Sequence, residues 1–138
     1  MKNIILVCSV ILLSCNANLV QEHNVKCNKT TQEIISAFSA LGMRENMIPK
    51  MADANIGYAR LETMPANNIW IGGSDIRVWQ LQVDNTGTII ATAFNQHSTG
   101  ATTYYGDNTH EDWKWYWNIR KGLQQLCGDS VRIIQREQ

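Results

Sequence analysis

Behind Met1-Lys2-Asn3, residues Ile4 to Leu13 are apolar except for Ser9. A short apolar run behind one positive charge is the layout of a signal peptide, and it falls short of the roughly 20 apolar residues that a permanent membrane helix needs. Beyond Cys27 the pattern becomes helical. Thr30 is followed three residues later by Glu33, the capping-box spacing, and Ile34, Ile35, Phe38 and Leu41 then recur on one face, with Ala37 and Ala40 between them and Gly42 as the stop. Met43 to Asn55 mixes Met47, Ile48 and Met51 with Pro49, which fits a loop with apolar anchors or a short helical piece.

From residue 56 the period shortens. Ile56 to Glu62 has strand composition, Met64 to Asn68 breaks it, and Trp70-Ile71 before Gly72-Gly73 reads as a short strand ending in a turn. Asp75 to Val83 alternates, with Trp79, Leu81 and Val83 on one face and Gln80 and Gln82 on the other; Asp84-Asn85-Thr86-Gly87 is a turn signal, and Thr88 to Phe94 is the returning strand. Asn95 to Asn108, rich in Thr, Gly and Asn, predicts a surface loop or a wide hairpin end. A second helix is expected from a Thr109 cap, with Asp112 at its third position, a stripe of Tyr116, Ile119, Leu123, Leu126 and Cys127, and a stop at Gly128. Val131 to Ile134 is a last strand.

These elements predict an α+β fold, an antiparallel sheet of about four strands with two long helices packed on one face, in the order α-β-β-β-(β)-α-β. Each helix is apolar along one stripe only and needs the sheet to cover it. We expect residues 1–17 to be a signal peptide, or residues 1–14 to be a lipoprotein signal, and residues 18–138 to form a single domain. Leu12-Leu13-Ser14-Cys15 resembles the lipobox of bacterial lipoproteins, in which Cys15 is the lipidated first residue; Cys15-Asn16-Ala17 offers the alternative of cleavage after Ala17. Under the lipoprotein resemblance, Asn16 in place of an aspartate favours the outer membrane. The expected location is therefore outside the cytoplasm, periplasmic or at the outer membrane, with a secreted form as the alternative. The only expected membrane contact is the N-terminal lipid.

Composition narrows the partners. Losing Lys2 with the leader leaves eleven Lys and Arg against twelve Asp and Glu, and such a balance gives no positive field for a phosphate backbone, so no nucleic-acid partner is expected. Of four cysteines, Cys8 and Cys15 belong to the leader or its processing site, which leaves Cys27 and Cys127. An isolated pair outside the cytoplasm reads as one structural disulfide, because no Cys-x-x-Cys spacing marks a redox site.

Two groups of residues carry candidate chemistry. Trp113, Trp115, Tyr116 and Trp117 crowd four rings into five positions; on a helix Trp113, Tyr116 and Trp117 share a broad face and Trp115 points the other way. With Tyr104 and Tyr105 just before them and Arg120 beside them, Tyr104, Tyr105, Trp113, Trp115 and Arg120 form a candidate partner-binding patch, the residue types that dominate protein interfaces. The competing reading puts the rings in the core and only one of the two tyrosines outside. His97, Asp107 and His110 are the alternative, an acid–base set for a small secreted hydrolase, although no zinc or nucleophile motif accompanies them. No metal and no cofactor are expected. The expected function is non-enzymatic binding of another envelope or secreted protein, with an inhibitor or immunity role as its most concrete version and a structural lipoprotein of a secretion or envelope assembly as the alternative. Gly72-Gly73-Ser74-Asp75 lacks the lysine and the following helix of a phosphate loop and reads as a turn.

The covalent expectation is testable by intact mass. The purified mature protein should gain two hydrogens on reduction, and its mass should show either an acylated Cys15 or a chain beginning at Asn18; an unchanged mass on reduction contradicts the Cys27–Cys127 bridge.

Overall fold

The computed structural model describes residues 26–64 and 75–135. The leader, Cys15 and the expected Trp70-Ile71 strand with its glycine turn lie outside those residues. The first helix, α1 (Thr31–Arg44), begins as its cap predicts. The Glu33 amide donates to the Thr30 hydroxyl at 3.2 Å, and the Thr30 amide donates to the Glu33 carboxylate at 2.7 Å. The bond from the Thr30 amide leads the causes that hold the Glu33 carboxyl below its ordinary range.

Gly42 does not stop α1. It is buried against the sheet, where a Cβ would strike the Leu61 side chain, so the glycine lets helix and sheet approach closely, and the helix runs on to Arg44. The chain then turns at Asn46, which takes a φ of 58°, a conformation that asparagine adopts more easily than most residues.

The stretch expected as a loop or helical piece is a strand, β1 (Met47–Asp53), paired antiparallel with β2 (Tyr58–Thr63). Its pattern is blurred because β1 has a neighbour on one side only, where proline is tolerated, and its register shifts between Pro49 and Met51. β3 (Ile76–Val83) and β4 (Ile89–Gln96) form the predicted hairpin, paired from Ile76 opposite Gln96 to Val83 opposite Ile89. Asp84 fixes its turn by accepting from the Thr86 and Thr88 amides at 2.8 and 2.9 Å. Gly87 closes that turn with a φ of 78°.

The Asn95–Asn108 stretch is the hairpin end rather than a free loop. β4 continues into it, the His97 amide donates to the Ala101 carbonyl at 2.8 Å, and β5 (Thr102–Tyr105) returns along β4. After the second helix, α2 (Lys114–Cys127), and one 3₁₀ turn, β6 (Val131–Ile133) pairs in parallel with the start of β4. Among the described residues the sheet thus has six strands and is mixed, where about four antiparallel strands were expected. The parallel pair arises because the chain reaches β6 through a crossover helix, which returns it in the direction of β4.

Both helices lie on one face, as expected. Leu61, which Gly42 of α1 approaches, stands opposite Trp79 across β2 and β3, and Trp79 carries Tyr116 of α2 stacked on it at 5.4 Å. Ile34, Ile35 and Phe38 of α1 and Tyr116, Ile119 and Leu123 of α2 share one core with Leu61, Trp79, Leu81, Ile89, Ala91 and Ala93. Cys27 and Cys127 form the disulfide, with a Cα–Cα distance of 5.0 Å, joining the residues before α1 to the last residue of α2. Trp79→Ala should lower the unfolding free energy by about 3–5 kcal/mol, read as a lower urea midpoint; a loss below about 1 kcal/mol would contradict the central place of this ring.

Candidate functional site

The position of the rings follows from where α2 starts. It begins at Lys114 and not after Thr109, because the Thr109 hydroxyl accepts instead from the Gly106 amide at 2.8 Å and closes a separate turn. A second turn follows, with the Trp113 amide donating to the His110 carbonyl at 3.1 Å. Trp113 therefore stands at the cap, outside the helix, and Trp115 lies in the first helical turn. The expected inside and outside are exchanged: Trp115 is 5% exposed and Trp113 37%.

What covers Trp115 comes from the end of the sheet. Tyr105 meets it edge-on at 5.1 Å and packs on Trp113 at 5.5 Å, while the Arg77 guanidinium lies 5.6 Å from the Trp115 ring and 5.4 Å from that of Trp113. Tyr105 is buried, and burial pushes its hydroxyl pKa up against the opposing influence of Arg77. Tyr104 points to the other face of the sheet and packs beside Phe94 at 5.6 Å. Of the five proposed patch residues, Tyr105 and Trp115 are thus core, and Trp113 is the exposed ring.

Arg120 belongs to a separate contact. It donates to the Tyr116 hydroxyl at 2.9 Å and to Asp107, and its guanidinium covers the Trp117 ring at 5.2 Å. The Trp117 indole N–H donates to the His110 carbonyl at 3.0 Å. Together these bonds hold residues 106–113 onto α2. Burial raises the Tyr116 hydroxyl pKa, with the Arg120 charge opposing it.

The three candidate hydrolytic residues have three different sets of partners. His97 lies between Asp75, 3.2 Å from its Nδ1, and Thr103, 2.9 Å from its Nε2. Asp107 pairs with Arg120, and His110, largely exposed, pairs with Asp112 at 3.2 Å. No group of three or more His, Cys, Asp or Glu that could hold a metal ion occurs among the described residues.

Asp75 and Arg77, which carry no candidate role in the sequence, line a cleft of mixed polar and apolar character. This cleft, of about 320 Å³, is bounded by Thr63, Met64, Asp75, Arg77, Asn95 and Trp113. The sheet register builds it. Arg77 is opposite Asn95 on β3 and β4, and Thr103 follows on β5, so the face that carries Trp79 and Ala93 under the helices ends in a polar row. Thr63 accepts from the Arg77 amide at 3.0 Å, and the Asn95 amide nitrogen reaches Asp75 at 3.5 Å. Asn95 is 7% exposed, and its Oδ1 has no partner among the described residues; nor has the buried Trp115 indole N–H. The available signal was phase: Asp75 and Arg77 are in step with Trp79, Leu81 and Val83 at the two-residue period of a strand. A second cleft, about 340 Å³ between α1 and α2, is lined mainly by Ala37, Ala40, Leu41, Gly122 and Leu126, with Arg44 and Gln125.

Comparison of the chain with protein-family models, with curated proteins and with solved structures gives no match.

Proposed function

We propose that this is a non-enzymatic, extracytoplasmic binding protein that engages another protein through the end of the sheet where Trp113 and Arg77 meet. The observation that carries the reading is the cleft itself: an exposed indole and an arginine held against two rings, beside buried polar groups. Aromatic and arginine side chains fixed before binding lose little conformational freedom on contact, which is why they recur as interface anchors. The short leader and the disulfide support a location outside the cytoplasm. An inhibitor or immunity role remains the concrete version of the proposal, because a rigid cross-linked scaffold presenting one cleft suits tight contact with a single partner. Anchorage within an envelope assembly would use the same surface.

A second reading rests on one observation, the row Asp75–His97–Thr103. Carboxylate, imidazole and hydroxyl follow one another at 3.2 and 2.9 Å, the order in which a triad activates a nucleophile. In that reading the Thr103 hydroxyl adds to an acyl carbon as His97 Nε2 takes its proton, and Asp75 orients the ring. The imidazolium returns that proton to the leaving group as its bond to the acyl carbon breaks, and water then hydrolyses the Thr103 ester by the same route. Asp107 and His110 take no part.

Photo-crosslinking separates the two. With benzoyl-phenylalanine at position 113, one envelope protein should be captured, and its purified form should bind the native chain and lose at least tenfold in affinity against Trp113→Ala. The control at Ile56, exposed in the β1–β2 turn at the opposite end of the sheet, should capture nothing in common. Identical capture from both positions, or none, contradicts the binding surface. Labelling of Thr103 by a fluorophosphonate, abolished in His97→Ala, would establish the hydrolase reading instead.

A further inference from the structure

Among the described residues, Arg60 and Arg120 each have a carboxylate partner, Glu62 and Asp107. Arg77 has no ion pair there. Its guanidinium is instead laid against the faces of Trp113 and Trp115, and the residue as a whole is exposed, so the planar fork is oriented by the rings and still open to a ligand. A guanidinium in this setting presents two parallel N–H groups, the geometry that a carboxylate accepts side by side. Asp75, two residues before Arg77 and just ahead of β3, is turned to His97 and Asn95. Asn95 also lines the cleft, and its Oδ1, itself buried, has no hydrogen-bond partner among the described residues.

We infer that the cleft recognises a carboxylate, and that its source is the C-terminal residue of a polypeptide, which places an amide N–H next to the carboxylate. The inference rests on the binding reading and gives that surface its ligand chemistry. Arg77 takes the carboxylate, Trp113 forms the wall along the terminal side chain, and the buried, unpartnered Asn95 Oδ1 accepts from the adjacent N–H once the Asn95 side chain turns toward the ligand. The volume of about 320 Å³ suits one or two terminal residues and no larger body. Asp75 lines the same cleft, and its negative charge disfavours a ligand carrying several negative charges and favours a single carboxylate.

The test uses the full mature chain and three short probes: N-acetyl-trialanine with a free carboxylate, N-acetyl-trialanine amide, and N-acetyl-Ala-Glu-Ala amide. Binding is followed by NMR at the Arg77 side-chain N–H and the Trp113 indole N–H. The free-acid peptide should shift both signals saturably, and the amide should bind at least tenfold more weakly. Arg77→Lys, which keeps the charge and loses the fork, should weaken the free acid by at least tenfold, and Arg77→Gln by at least as much; both substitutions fall at one exposed position, and an unchanged circular dichroism spectrum checks that the packing around Trp115 survives them. Preference for the internal glutamate peptide would overturn the C-terminal source. Equal binding of acid and amide, or no shift with any probe, would overturn carboxylate recognition altogether. If the probes fail while position 113 still captures its partner, the binding reading stands without this ligand; if the probes bind and the capture fails, the cleft is a carboxylate site and the protein-binding reading falls.

Discussion

Tyr116 lies nearly flat on Trp79, with 5.4 Å between ring centroids, an angle of 12° and no exposed surface on either residue. This contact seats α2 on the sheet, and most of what distinguishes the molecule follows from it. Trp79 is in the middle of β3, so the first turn of α2 is held over that strand. The four rings clustered at its start are thereby carried to the end of the sheet where Arg77 and Tyr105 emerge. Aromatic pairs of this kind add about 0.5–1.5 kcal/mol to the large area they remove from water. Around Tyr116, the rings of Tyr105, Trp115 and Trp117 lie between 4.9 and 6.3 Å away, so one side chain connects β3, β5 and both sides of the helix start.

The disulfide secures the opposite end of the same helix. Cys127 closes α2 and Cys27 precedes α1, with a sequence separation of 100, so the bond ties both helices and the turn at Gly87, whose carbonyl accepts from the Cys27 amide at 3.2 Å. On the chain-entropy account, a loop of this size restricts the unfolded chain by about 4.7 kcal/mol. The ring contacts and the disulfide thus fix α2 at its two ends. What lies between them is a fairly ordinary amphipathic stripe of Ile119 and Leu123. The cleft is consequently built on a sheet end and a helix start that cannot shift independently, the condition for a preorganised site.

The parts legible in the sequence are those set by local chemistry. Thr30 and Glu33 cap α1 within three residues of each other, and β3, its Asp84–Gly87 turn and β4 carry their own alternation and turn signals. The parts that were not legible depend on distant residues. Thr109 has the composition of a helix cap, yet its hydroxyl serves Gly106, which moves the start of α2 by four residues and turns Trp115 inward. Gly42 looks like a stop, but Leu61 on β2 makes it a point of close approach. Pro49 obscures β1, since an edge strand can do without one ladder donor. For the site, the sequence pointed to the aromatic segment and to His97, and the structure joins both to β3. Asp75 and Arg77 were overlooked because charged residues at the start of a strand ordinarily face water; here the strand passes under the helix start before it reaches solvent.

Arg77 is held between the sheet end and the rings at the start of α2 while remaining open to a ligand. The most direct measurement is the NMR environment of its side chain in the free protein. Lying against two indole faces, the Arg77 δ and γ protons should be displaced upfield of their shifts in the Trp113→Ala protein by ring currents, with nuclear Overhauser contacts to both Trp113 and Trp115. Arginine protons at ordinary shifts, without contacts to either indole, would show that the fork is not preorganised and would contradict the central claim.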